Sequence, residues 1–473
     1  MAAARKHQLS FADLEFLLQG VCLDPVLQSI SDFLDEQTDL TELVRADLER
    51  GLSNPEAGRK RRLTPQQVLR SLVLRRVKNW DYREMRERIA DSYTLRRFTG
   101  FFSQPVPKHD SFHRAFRRLQ PETLRTINER VVAAAVAQGL EDGKKLRVDT
   151  TVVETDIHHP TDNRLLWDTV RVVTRLAGRL KELCSDGAVH FRNRTRSARR
   201  RAVEIERLTA RQRPQQQVSK YRELIRITDH VLAQARALLH AAKATVTTQV
   251  VSLILIEQLR SEITHYCELG ERVIDQTRRR VIHGEQVPVA EKIFSIFEPH
   301  TDLIKRGKVL KPVEFGHKVF LAESARGLIT QYRVLDGNPS DTDHVSPSLQ
   351  RHAETFGRSP DLYAPDRGFD SAANVKACQN AGVKLTCIPQ CGGKKIPERD
   401  AFEKTRAFKR GQRFRAGIEG RISVLFRGRG MKRCLAEGRE RFHVFVGATV
   451  LANNLLAIGE LRLKKQNRRR QAA

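Results

Sequence analysis

Asp149, Asp366 and Glu419 are the residues whose types and settings suggest chemistry. Asp149 falls inside KKLRVDTTVVET (144–155), a run rich in Val and Thr with polar flanks, which predicts a strand. Asp366 ends the short apolar run DLYAPD (361–366), where a buried strand stops and Gly368 allows a turn. Glu419 lies in RAGIEGRISVLFR (415–427), whose apolar spacing is helical. Sites in open α/β sheets assemble at strand ends. Carboxylates converging there would offer hard anionic oxygens, which suit Mg²⁺ better than the imidazoles and thiolates of softer metals. Two such ions can clamp the attacking and leaving oxygens of a phosphodiester displacement, one activating water or a 3′-hydroxyl, the other stabilising the leaving 3′-oxygen. Taken singly, each acid has an ordinary explanation as a turn residue, a helix cap or a solvated side chain. Their joint placement is what singles them out.

The elements that must position these acids read in a definite order. After the first strand comes a stretch from Asn163 to about Ile282 with helical periodicity and few Gly or Pro, including LLWDTVRVVTRLAGRLKEL and LIRITDHVLAQARALL. Strand signals resume after Pro312, with VEFGHKVFLAES (313–324) and GLITQYRVLDG (327–337) as a hairpin. A helix over 341–357, the strand carrying Asp366, a helix over 371–382 with Ser371 as cap, a strand over 383–389 and the helix carrying Glu419 follow. Without the insert the order is β-β-β-α-β-α-β-α, that of a ribonuclease-H-like fold. The expected class is therefore α/β: a ribonuclease-H-like mixed sheet with a large helical insertion, preceded by an all-α region. The expected boundaries are an N-terminal helical segment (1–58), a helical DNA-binding domain of helix-turn-helix type (59–140), the α/β core (141–162 and 286–460), the helical insertion (163–285) and a basic tail (461–473).

Charge points to a polyanionic partner. The chain of 473 residues carries a net charge of +29, with 40% hydrophobic and 30% charged residues, which fits a globular protein with a nucleic-acid partner. Between Arg59 and Arg97 there are thirteen Lys and Arg against four Asp and Glu. Thr64 followed by Pro65 is a strong helix start in that segment. From Lys404 to the end there are nineteen Lys and Arg against four Asp and Glu, about half of the net charge, gathered around Glu419. The seven cysteines are scattered and odd in number, which reads as reduced thiols. Cys387 and Cys391 form a lone pair with no second pair to complete a zinc site. VVSLILI (250–256) is the longest apolar candidate, far short of a membrane span. The N-terminus lacks the apolar run of a signal peptide, so a cytoplasmic protein with no membrane partner is expected.

Several blocks carry a resemblance. RVDTTVVETDIHHPTDNRLLWD (147–168) closely resembles the first-aspartate block of bacterial insertion-sequence DDE transposases, especially the ISNCY-type branch. YAPDRGFDSAANV (363–375) resembles their second-aspartate block, and RAGIEGRISVLFRGRGMKRC (415–434) their glutamate block. KIFSIFEPHTDLIKRGKVLKPVEFGHKVFLAES is similar to the segment leading into their second strand, and the basic N-terminal helices look like their terminal-repeat-binding domain. The resemblance covers most of 60–460, and its first block is the most specific.

The resemblance implies that Asp149, Asp366 and Glu419 hold two Mg²⁺ ions, with Mn²⁺ as a possible substitute. It implies an Arg four residues before the Glu, which is Arg415 here. The Tyr and Lys that many relatives place near the Glu are absent: Gln412 and Phe426 stand there, with Arg427 beside Phe426 as the nearest cation. The helical insert falls after the first strand rather than between the fifth strand and the Glu. Arg415, Arg367, Arg427 and Lys318 are the cations expected to touch DNA. The implied activity is binding of terminal inverted repeats, metal-dependent 3′-end cleavage and strand transfer into target DNA, by a homodimer or larger assembly in the synaptic complex. Two alternatives stay open from the residues alone: a nuclease or resolvase on the same fold that cleaves without joining, and a catalytically inactive DNA-binding derivative.

Overall fold

The computed structural model describes residues 11–472 except 19, 21, 53–62, 184–190, 243–249, 306–311 and 394–395. The basic run at 59–62 and Cys184 lie outside the described residues. The chain divides into two units, 1–154 with 317–473, and 155–316. It is mixed α/β and helix-rich, with seven strands of mixed sense among the described residues.

The first unit begins with helices α1 (Phe11–Leu18), α2 (Pro25–Glu36), α3 (Thr38–Glu49), α4 (Pro65–Lys78), α5 (Tyr82–Asp91), α6 (Tyr93–Thr99), α7 (His109–Phe116) and α8 (Pro121–Ala137). The start of α4 follows from its sequence. The Thr64 hydroxyl accepts from the Gln67 N–H, the Gln67 side chain accepts from the Thr64 N–H, and Pro65 occupies a first-turn position that needs no donor. The short helices bury Ile30, Phe33, Leu69, Leu74, Ile89 and Phe112 in a common core.

The sheet of this unit is built around β1 (Lys145–Thr155). Strands β3 (Val313–Ser324), whose first four residues belong to the second unit, and β4 (Ile329–Val334) pair antiparallel. On the other side β1 runs parallel to β5 (Leu362–Ala364), and β5 parallel to β6 (Leu385–Thr386), giving the order β4-β3-β1-β5-β6. The two-residue β7 (Arg433–Cys434) also pairs with β1. Successive side chains of a strand face opposite ways. Phe320 and Ala322 accordingly join Leu146, Val148 and Tyr363 beneath α13 (Val345–Phe356) and α14 (Ala372–Asn380). Val319 and Leu321 join Phe442, Val446 and Val450 of α17 (Arg439–Ala472) on the opposite face. Between them in the chain lie α15 (Pro397–Lys404) and α16 (Arg406–Ser423).

The second unit holds α9 (Asp162–Leu183), α10 (Thr195–Glu206), α11 (Arg213–Ala242) and α12 (Val250–Thr277), which bury one apolar core including Leu166, Val173, Leu224, Leu232 and Ile263. Its strand β2 (Asp302–Lys305) pairs antiparallel with residues 313–316, Asp302 opposite Gly316.

Several expectations need correcting. The helix carrying Glu419 starts at Arg406, nine residues earlier than the apolar spacing suggests, because its first turns are mostly basic and bury only Phe408 and Gly411. The last helix is longer than its apolar spacing suggests: α17 runs unbroken through the basic residues to Ala472. Nor is it correct that no stretch reaches the dimensions of a membrane span. α17 has the length, with a mean hydropathy of 1.6 over its most apolar window, but 78% of that window is buried inside the protein. It is apolar because it is a core helix touching two apolar layers.

Candidate carboxylate site

On β1, Arg147 and Asp149 share one face, while Leu146 and Val148 point into the opposite apolar layer. Helix α16 lies close against this region because two of its three glycines face it. A Cβ at Gly411 would overlap the Cys387 sulfur, and one at Gly417 would overlap the Arg147 guanidinium. Arg147 then anchors the helix. Its Nη1 donates to the Phe414 carbonyl at 2.8 Å, and its Nε and Nη2 reach Glu323 Oε2 at 2.8 and 2.7 Å. The other oxygen of Glu323 accepts from Arg421 Nε at 2.8 Å. Glu323 is fully buried on β3, so this Arg147–Glu323–Arg421 set ties α16 to two strands. A buried carboxylate needs such compensation.

This anchoring places Arg415 and Glu419 beside the other two acids. Arg415 Nη1 lies 3.0 Å from Glu419 Oε1, one helical turn on. Its Nη2 lies 3.1 Å from Asp366 Oδ1 and 3.5 Å from Asp149 Oδ2. One guanidinium therefore touches all three acids. The Arg415 Nε is buried without a hydrogen-bond partner. The three carboxylates differ in setting. The Asp149 side chain is 13% exposed, Asp366 42% and Glu419 66%. Asp149 Oδ1 accepts from the Thr150 N–H at 2.7 Å. Asp366 caps the short turn Arg367–Phe369, its Oδ1 accepting from the Arg367 N–H at 2.8 Å.

A fourth acid borders the site. Asp341 Oδ1 accepts from Thr150 Oγ1 at 2.9 Å and sits 2.8 Å from Lys318 Nζ. Lys318 also donates to the Pro339 carbonyl at 2.8 Å and is largely buried, so its charge is held internally. Arg367 and Arg427 are exposed and have no side-chain partner among the described residues.

In chemical kind the three acids suit a divalent cation: they are hard, anionic and gathered at one place. In the geometry shown they surround a guanidinium instead. Among the described residues no three His, Cys, Asp or Glu side chains are arranged to hold a metal ion. Cys387 is buried and Cys391 exposed, both as free thiols.

Sequence reasoning did not single out Arg147, Glu323, Arg421 or Asp341. Glu323 carried one signal, an acid inside the otherwise apolar run VFLAES. Asp341 carried none, since the turn-rich DGNPSDTDH gives several acids equal claims as caps.

No curated protein and no solved structure matches this chain. Residues 21–118, which contain helices α2–α7, match the family model described as Transposase domain (DUF772). That match lies upstream of all three acids and supports a chain related to transposition, without specifying a catalytic branch.

Proposed function

We propose that the chain is a DDE-type transposase that binds the terminal inverted repeats of its element, cleaves the 3′ ends by hydrolysis and joins the new 3′-hydroxyls to target DNA. The observation that carries this reading is the single guanidinium of Arg415 in contact with Asp149, Asp366 and Glu419, residues from two strand regions and a helix. The transposase-domain match over 21–118 supports it. So does the strand order β4-β3-β1-β5-β6, which suits a ribonuclease-H-like core.

On this reading Asp149, Asp366 and Glu419 would hold Mg²⁺. When bound, Mg²⁺ supplies Lewis-acid activation of the attacking oxygen and stabilisation of the leaving one. The protein's own part is positioning. The Arg147–Glu323–Arg421 set fixes α16 on the strands, and Arg415 offsets the mutual repulsion of three acids. The excess of Lys and Arg after residue 404 draws a phosphate backbone toward Glu419. Bringing two ends together requires at least two copies of the chain on DNA.

Asp366→Asn tests the reading, because it keeps shape and removes one charge. Cleavage and strand transfer with Mg²⁺ should fall to background while binding to terminal-repeat DNA persists. Full strand transfer by this variant sinks the assignment. A wild-type protein that hydrolyses DNA without joining it would point to the nuclease alternative.

A further inference from the structure

Arg75 and Arg76 lie in the last turn of α4, beside a cleft of about 310 Å³ whose lining also includes Tyr82, Arg117, Arg441 and Phe445. Arg76 is 9% exposed. Its guanidinium carbon lies 4.5 Å from the Phe445 ring centre, and that of Arg75 lies 3.9 Å from the Tyr82 ring centre. Neither side chain has a hydrogen bond or an ion pair among the described residues, and the Arg75 Nε is buried without any partner. The other two arginines leave the positive excess standing. Arg117 is exposed. Arg441 Nη1 donates to the Leu119 carbonyl at 2.8 Å, and its Nη2 is 3.6 Å from the exposed Glu440. Glu437 lies at the rim, and Asp81 is engaged as the cap of α5.

A buried guanidinium at Arg76 beside a half-buried one at Arg75, neither in an ion pair, is costly to fold. Burial and the neighbouring Arg75 push the Arg76 side chain down to about 9, and burial lowers Arg75 as well. Cation–π contact offsets part of that cost, but it leaves the forked N–H donors without acceptors. Forked guanidinium donors match phosphate oxygens. The apolar side of the cleft includes Leu435, which is 73% exposed, together with Val444.

We propose that this cleft binds a phosphate ester of a nucleotide, with Arg75 and Arg76 as the deep donors, Arg117 as the outer cation and the Leu435–Val444 wall against the sugar or base. The site lies partly in the segment matched as a transposase domain and is independent of the role assigned to the three acids. The phosphate can come from a nucleic-acid strand or from a free nucleotide, and the test separates these.

The full chain is titrated with a 20-base-pair duplex, a 20-nucleotide single strand, AMP and sodium phosphate at constant ionic strength. Wild type is compared with Arg76→Met, Arg117→Ala and Asp366→Asn. Arg76→Met should raise the melting temperature or leave it unchanged, since it removes a buried unpaired charge. It should weaken binding about tenfold in the arm that carries the true source, and Arg117→Ala about threefold in the same arm. Asp366→Asn is read for strand transfer alone. Unchanged affinity of a folded Arg76→Met in every arm overturns the proposal and leaves the arginines as aromatic packing. If Arg76→Met does not fold, Arg117→Ala decides alone, and unchanged affinity in every arm overturns it. Loss of strand transfer in Asp366→Asn bears only on the acids, so the two readings fail separately.

Discussion

Arg415 stands one helical turn before Glu419 and bonds to it at 3.0 Å, while its second nitrogen lies 3.1 Å from Asp366, on a different part of the fold. The helix repeat sets the first contact. The second depends on where α16 is laid down. Arg415 thus converts the position of one helix into the mutual spacing of three carboxylates.

On the proposed reading, replacing Arg415 with Ala should reduce Mg²⁺-dependent cleavage at least about tenfold while weakening duplex binding much less. Arg415→Lys should recover only part of the loss, because a point charge cannot replace a planar fork that spans several acceptors. Parallel cleavage and binding assays check this. Equal losses in both would mark Arg415 as a DNA-binding residue only.

Glu323→Ala should destabilise the fold by about 3–5 kcal/mol, because it leaves Arg147 and Arg421 facing each other without their shared buried acid. Denaturant titration measures this. The double variant with Arg421→Met should lose less than the two single losses combined, since the second change removes one of the stranded charges.

His352 gives the fold an acid limit. It is fully buried, donates from Nε2 to the Gly143 carbonyl at 2.9 Å, and burial lowers it from 6.5 to about 4. The unfolded chain therefore takes up a proton between those values that the folded chain refuses. Stability should fall as pH drops from 6.5 toward 4, by about 3 kcal/mol in all. His352→Gln, which can keep the bond to Gly143, should flatten that part of the stability–pH curve.

His158 acts in the opposite sense in the second unit. Its hydrogen bond to Asp168, 2.7 Å from Nε2, raises it above 6.5 against the effect of burial. Its contribution is fully present below pH 6.5 and is lost as pH rises through the raised value. The ring is 42% exposed, so the effect should be small. His158→Asn should remove it, visible as a melting temperature of that unit that no longer declines over this range.

Thr64→Ala should cost about 1 kcal/mol by breaking the reciprocal bonds between Thr64 and Gln67 at the start of α4. Thermal melts check this, and Thr64→Ser should retain most of the stability.

Local signals explain what was legible in the sequence. The strand 313–324 and the start of α4 could be read because alternation and capping are properties of neighbouring residues. Asp149, Asp366 and Glu419 stood out by type and setting, and the structure brings them to one arginine. β2 and β7 were missed because DLIK and RC sit among charged residues, without the apolar runs that flag the equally short β5 and β6. The start of α16 was hidden by the basic, Gly-containing stretch 406–414, which resembles a loop until its buried neighbours are known. The Arg147–Glu323 pair joins residues 176 positions apart, and nothing within either local segment identifies the partner.

The end of the chain also bears on how its beginning is made. Val444, Ala448, Leu451, Leu455 and Ile458 of α17 complete the core shared by α2, α4 and α8. A ribosome at about 5–20 residues per second needs many seconds to travel from the matched segment to α17. Throughout that interval the apolar faces of the early helices lack their last partner. The region that reads as DNA-binding thus matures only after α17 has been made, and a product cut short before residue 439 should emerge as a sticky, chaperone-dependent fragment rather than a free DNA-binding competitor.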